Sequence, residues 1–169
     1  MNTFEIPWYV VYTYPKQERR IFEDLTEQNI NAFFPCQKVV KQWSDRKKKL
    51  SVPLFPNYVF VQISLRDRFK VFNVPGITRF ISVDGLPSAV PQKEITTIKR
   101  LLDEDVSIEN EEFYETGENV RVTQGPFAGM VGVLLEKKGG RRFGIRFGSI
   151  AQAISVDIQS SFLEKVDAL

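Results

Sequence analysis

Trp8–Thr13 (WYVVYT) sets the first pattern in the chain, six residues of largely aromatic and β-branched character that favour a strand. Pro15 then suits a first helical turn, and from Lys16 to Ile30 the apolar Ile21, Phe22 and Leu25 gather on one side. Lys16, Arg19, Arg20 and Glu23 recur at i, i+3, i+4 and i+7 on the other side, which predicts an amphipathic helix. Two strands follow, near Ala32–Trp43 and Leu50–Ile63, and the turn-prone Ser44–Lys49 between them makes the pair a hairpin. A short helix near Leu65–Phe72, a Pro75-Gly76 turn, a strand at Thr78–Val83 and a helix from Gln92 to Leu102 complete an α/β unit of mixed order.

Within this unit Pro56–Ile63 (PNYVFVQI) is the most informative strand. Alternation places Val59, Val61 and Ile63 on one face and Tyr58 and Phe60 on the other, so both faces are apolar. Trp8–Tyr12 has the same property. Such a sheet is either covered on both sides, or covered on one and open on the other to a partner.

The pattern changes after residue 102. Residues 103–118 contain eight acids, no base and few apolar positions, a composition that cannot bury enough surface to offset chain entropy and predicts a mobile linker. Beyond it Val120–Val122, Met130–Leu135, Phe143–Phe147 and Ala153–Ile158 read as short strands, punctuated by Gly125-Pro126, Gly129, Gly132, Gly139-Gly140 and Gly148 at tight turns. The expected fold class is therefore α+β. A mixed or antiparallel sheet with flanking helices occupies 1–102, the linker 103–118, and a small β-barrel 119–169.

Charge divides along the same lines. Residues 1–102 hold 16 Lys/Arg against 9 Asp/Glu, residues 103–118 none against 8, and residues 119–169 seven against 4, so +7, −8 and +3 underlie a net charge of +2. Two basic modules flanking an acidic strip suggest an anionic partner such as nucleic acid, the alternative being solvated faces without one. Arg46, Lys47, Lys48 and Lys49 at the hairpin tip, with Lys38 and Lys41 behind them, are suited to gripping phosphates or to keeping the turn soluble. Arg19–Glu23 and Arg20–Asp24 have the spacing of surface ion pairs, each worth about 0.3–0.5 kcal/mol.

Composition also excludes. The chain has no histidine, which removes imidazole bases, Ser-His and Cys-His nucleophile pairs and every His-containing metal site. Its one cysteine, Cys36, allows no internal disulfide, Cys-only zinc site or CxxC pair, and fits a reducing compartment. No apolar run approaches a membrane span and nothing after Met1 resembles a leader. The reading is a cytoplasmic adaptor, with no catalytic residue, metal or cofactor.

Longer motifs sharpen this. The run VRVTQGPFAGMVGV, residues 120–133, resembles the KOW motif. WYVVYTYPKQE, PLFPNYVFVQI and VPGITRFI resemble, in order, the N-terminal domain of NusG-type transcription elongation factors. The resemblance implies an SH3-like barrel in the second module and a monomeric, non-membrane factor. Such a factor would bind RNA polymerase and suppress pausing or termination without chemistry of its own. It implies that Tyr12, Phe55, Tyr58 and Phe60 receive the clamp helices of the largest polymerase subunit. Lys16, Arg19 and Arg20 would face the non-template DNA strand, and Phe147 and Ile150 would lie in the barrel loop that meets termination factor Rho or the small ribosomal subunit. PLFPNYVFV is most similar to the specialised RfaH and UpxY paralogs, which act on selected operons such as surface polysaccharide clusters. The alternative is a KOW-containing ribosome- or RNA-binding protein, which needs the barrel and the basic hairpin but no open aromatic patch.

Overall fold

The run Trp8–Thr13 forms strand β1, and the chain then turns before its first helix. Tyr14–Gln17 is a turn closed by the Gln17 N–H donating to the Tyr14 carbonyl at 3.3 Å, with Pro15 second and Lys16 third at φ +63°. Proline fixes the second position of such a turn, and a left-handed third position interrupts a helical path. Helix α1 consequently spans Glu18–Glu27 and does not begin at Lys16. Its Ile21 and Leu25 are fully buried.

The single strand expected over Ala32–Trp43 is two, β2 (Asn31–Phe33) and β3 (Cys36–Gln42), because Pro35 offers no N–H to a ladder. The strand expected over Leu50–Ile63 is likewise divided into β4 (Lys47–Pro53) and β5 (Tyr58–Gln62), with Pro56 and a left-handed Asn57 at φ +68° between them. A 3-10 turn at Leu65–Asp67 leads into α2 (Arg68–Phe72), then β6 (Ile77–Phe80), the small ribbon of β7 (Ser82–Val83) and β8 (Leu86–Pro87), and α3 (Gln92–Asp103).

The computed structural model describes residues 5–112 and 117–167, and the chain divides into two compact units between Ile98 and Lys99. In the first, an antiparallel sheet of order β2-β5-β1-β6 pairs Tyr9 with Val61, Val10 with Phe60, Val11 with Val59 and Tyr12 with Tyr58. That register sets Tyr9, Val11, Val59, Val61 and Ile63 into one core with Ile21 and Leu25 of α1, Val71 of α2 and Phe80. The sheet's other face carries Trp8, Val10, Tyr12, Tyr58 and Phe60.

The second unit is an antiparallel sheet of order β14-β10-β11-β12-β13-β9, built from β9 (Ile108–Glu111), β10 (Glu118–Val122), β11 (Val131–Lys137), β12 (Gly140–Phe147), β13 (Gln152–Val156) and β14 (Leu163–Lys165). Gly132, expected at a turn, sits inside β11 for want of space. A β-carbon there would run into the Gly144 carbonyl oxygen and the Phe143 ring. The acidic stretch also departs from expectation, because Ile108–Glu111 pairs with Ala153–Val156 as a strand and Ile108 is buried. Average composition misses this, since one buried isoleucine and one open strand edge suffice to order four residues. Residues 113–116, within the same expected linker, lie outside the described residues.

Candidate functional site

The register of β1 against β5 brings the expected partner-binding aromatics together. Tyr12 and Tyr58 meet edge to face with ring centroids 6.0 Å apart. Phe55 bridges Tyr58 at 6.5 Å and Phe60 at 6.3 Å, and Phe60 continues to Phe33 at 5.8 Å. The four predicted residues thus form one continuous ring cluster, extended by Phe33, which sequence reasoning did not single out. Phe55 and Phe60 are buried, Tyr58 is 9% exposed, and Tyr12 and Phe33 are partly exposed. Arg79, opposite Tyr12 across β1 and β6, holds its guanidinium 4.8 Å from the Tyr12 ring centre. This adds a cation–π contact and a positive rim to the cluster.

Three hydrogen bonds fix the segment that carries these rings. Glu18, 6% exposed in the first turn of α1, accepts a hydrogen bond from the Asn57 backbone N–H at 2.9 Å. Asn57 donates its side-chain amide to the Thr13 carbonyl at 3.1 Å, and the Thr13 N–H donates to the Asn57 carbonyl at 2.9 Å. The turn before Tyr58 is therefore tied to both β1 and α1. Only the left-handed preference of asparagine in Pro-Asn-Tyr hints at this in sequence.

The basic residues fall into separate settings. Lys16 is exposed at its turn. Arg20 spends its guanidinium donors within the unit, on Asp24 at 3.0 Å, Gln17 at 2.8 Å and the Pro75 carbonyl at 2.9 Å. Gly76 makes room for this. Its φ is +98°, its carbonyl accepts from the Tyr14 N–H at 2.9 Å, and a β-carbon would strike the Gln17 side chain. Arg19, expected to pair with Glu23, instead reaches Ser51 Oγ at 3.4 Å and lies 5.9 Å from the Phe34 ring centre.

The hairpin of β3 and β4 has a tighter turn than expected. Its turn is Ser44-Asp45, closed by the Trp43 N–H to the Arg46 carbonyl at 2.8 Å, and Lys47–Lys49 are strand residues rather than loop. Pairing of Lys38 with Ser51, Val40 with Lys49 and Gln42 with Lys47 lines Lys38, Lys49 and Lys47 along one face, starting beside Arg19. Lys41, Trp43, Arg46 and Lys48 belong to the other. The ribbon from Lys41 to Lys49 is exposed throughout, and among the described residues none of its bases is in an ion pair. At its base, burial pushes the Cys36 thiol above its ordinary pKa, with Ser51 and Arg19 opposing, so the sulfur is a protonated packing group and no nucleophile at neutral pH.

In the second unit Phe147 ends β12 and Ile150 lies in the 3-10 turn Gly148–Ile150, both buried. Charged groups instead cluster where β9 joins. Lys137 bridges Glu109 and Glu111, and Arg142 donates to Ser155 Oγ at 2.8 Å and the Ser107 carbonyl at 2.9 Å. The Lys137 hydrogen bond holds Glu109 below the usual carboxylate range, and the hydrogen bonds to Glu111 and Glu109 raise Lys137. Among the described residues no group of three or more His, Cys, Asp or Glu is placed to hold a metal ion, and no helix is long and apolar enough to cross a membrane.

Residues 7–99 match the family model NusG, described as transcription termination factor nusG. The transcription termination/antitermination protein NusG of Rickettsia prowazekii is 28% identical over 173 residues, covering 95% of this chain and 90% of that protein. Its Rickettsia conorii counterpart is 32% identical over 141 residues, 76% of this chain and 73% of that one. Among solved structures, one titled "Domain interaction in Thermotoga maritima NusG" is similar in fold, with a TM-score of 0.59 at 23% identity over 95% of this chain and 97% of that one.

Proposed function

The chain belongs to the NusG family, whose members are transcription factors and not enzymes, and from that premise we propose that it binds RNA polymerase through the aromatic cluster of its first unit and suppresses pausing or termination. The observation that supports this is the unbroken series Tyr12, Tyr58, Phe55, Phe60 and Phe33 on one sheet face. Tyr12, Arg79 and Phe33 form its more exposed rim, while Phe55 and Phe60 form its floor. A pair of helices such as the clamp helices of the largest subunit suits such a surface. Tyr12 and Phe33 still have surface to bury, each supplying its exposed area at about 25 cal/mol per Å² before association costs, while Phe55, Tyr58 and Phe60 hold the rim in shape from beneath.

The basic surfaces complete the reading. Lys16, Arg19 and the row Lys38, Lys49 and Lys47 would face phosphates of the non-template DNA strand, and Arg46 and Lys48 would add charge at the tip. Arg20, with its donors committed, would set the position of Gln17 and Gly76 and contribute field more than direct contact. The second unit would carry the contact to Rho or the ribosome near Phe147 and Ile150. Work on selected operons, in the manner of the specialised paralogs, follows from the likeness of PLFPNYVFV, and the site of action is the cytoplasm.

The test is polymerase binding by the full chain with Tyr12→Ala, a partly exposed position that leaves the core intact. Affinity should fall about tenfold, the loss expected for one aromatic anchor. Unchanged affinity in a folded variant would refute the aromatic-face assignment and favour the RNA- or ribosome-binding alternative.

A further inference from the structure

The ribbon of β3 and β4 has two chemically different faces, and only one is accounted for by a phosphate grip. The face away from Arg19 carries Trp43, 51% exposed, with the Lys48 ammonium 5.1 Å from its ring centre. Lys41 pairs directly with Lys48, and Arg46 pairs with Trp43 across the turn. An indole is the largest apolar surface a side chain can expose, and here no core claims it. Across the ribbon from Cys36 to Pro53, six bases stand against one acid, Asp45 in the turn.

From this placement we infer that Trp43 is a stacking platform for an unpaired base, and that the ribbon holds a single nucleic-acid strand by that ring as well as by its lysines. The inference rests on the nucleic-acid contact proposed above, which makes the strand DNA. The reasoning is one of complementarity. Lys48 occupies one side of the ring, and the exposed remainder is open to a second flat group. Every nucleobase presents a π-face, whereas a paired base hides both faces in its own stack. The opposite face of the ribbon supplies the backbone track, because Lys38, Lys49 and Lys47 advance in steps of two residues, about 7 Å each. A row of charges alone would serve a duplex as well as a single strand. The exposed ring is what discriminates between them. A solubility device needs the lysines but not the tryptophan.

The test uses the full chain, a labelled oligodeoxythymidylate, the same oligonucleotide annealed to its complement, and heparin as a polyanion without bases. The chain has two tryptophans, and Trp8 is buried, so indole quenching on binding reports chiefly on Trp43. Single strands should quench fluorescence and heparin should not. Trp43→Ala should weaken single-strand binding about tenfold, the lower end of what one stacked base supplies, with the salt slope unchanged because no charge is lost. Trp43→Phe should recover most of the affinity. The double variant Lys47→Gln, Lys49→Gln should reduce the salt slope by about 1.4 and leave quenching at saturation intact.

If Trp43→Ala binds as wild type while the lysine variant weakens, stacking is wrong and the phosphate grip stands. If neither variant changes binding, both readings fall. Duplex that binds and quenches as strongly as single strand overturns the unpaired-base assignment in favour of groove entry, and a tenfold preference for the matching RNA oligonucleotide overturns the choice of DNA.

Discussion

Replacing Glu18 with alanine isolates the contact that holds the segment before Tyr58 in place. The carboxylate is 6% exposed and accepts the Asn57 N–H at 2.9 Å, so its removal leaves a part-buried backbone donor without that partner. A hydrogen bond to a charged group contributes about 1.5–3 kcal/mol, and we expect a loss of about 2 kcal/mol for Glu18→Ala. Glu18→Gln keeps an acceptor oxygen at the same reach but removes the charge, and should cost about half as much. Glu18→Asp is one methylene short and should resemble alanine. The assay is urea unfolding of the full chain followed by tryptophan emission, because Trp8 and Trp43 both lie in the first unit and Trp8 is buried there. The midpoint should fall with the m-value unchanged. Polymerase affinity should fall with Glu18→Ala under conditions where the variant remains folded, since Tyr58 directly follows Asn57. A loss below about 0.5 kcal/mol for alanine would mean that water replaces the carboxylate. Equal losses for glutamine and alanine would assign the effect to charge at the α1 N-terminus instead of the hydrogen bond.

Three further outcomes follow from the second unit. Gly132→Ala should destabilise that unit by about 3 kcal/mol or more, read by thermal unfolding, because the added methyl meets the rigid Gly144 carbonyl as well as the Phe143 ring. Acid should release β9: Glu109 has a lowered pKa, so its contribution is complete above its ordinary value of 4.5 and is lost as pH falls through the folded value. Lys137, whose pKa is raised, contributes fully below 10.5 and loses that contribution above it, so amide protection of Glu109–Glu111 should be flat near neutrality, fall in acid, and fall again at strong alkali. Because Lys137 and Glu109 are partly exposed, high salt should lower the same protection at neutral pH; protection indifferent to salt would mean that Ile108 and the backbone ladder alone hold the strand.

Alternation was enough to place Val59, Val61 and Ile63 on one face and Tyr58 and Phe60 on the other, and to put both modules in the right order, because these are properties of single strands and the structure keeps them. The breaks at Pro35 and at Pro56-Asn57 were also within reach of sequence, since proline's missing N–H acts locally, yet unbroken apolar patterning outweighed it. What could not be read is pairwise. Arg19 has Glu23 at helical spacing, but the fold sets it on Ser51 and near the Phe34 ring, and neither contact follows from helical spacing. Arg79 lies 67 positions from Tyr12 in sequence and opposite it in space.

The acidic segment shows the same limit from the other direction. Eight acids without a base predict a chain that nothing orders, and that would hold if each residue were judged by its own solvation. Ordering is instead decided by what the neighbours lack. Strand β13 has backbone groups open on its outer edge, and Arg142 and Lys137 have charge facing that edge. An acidic segment that buries Ile108 meets all of these needs together. The −8 charge that marked the segment as a spacer therefore includes the two carboxylates, Glu109 and Glu111, that fasten it. Neutralising the acids as a group would confound two effects. Glu109→Gln with Glu111→Gln should loosen β9 and leave the rest of the second unit folded. Glu104→Gln with Asp105→Asn, acids of the same segment that enter no ion pair among the described residues, should leave β9 protection unchanged, and hydrogen exchange on the two double variants separates fastening from bulk charge.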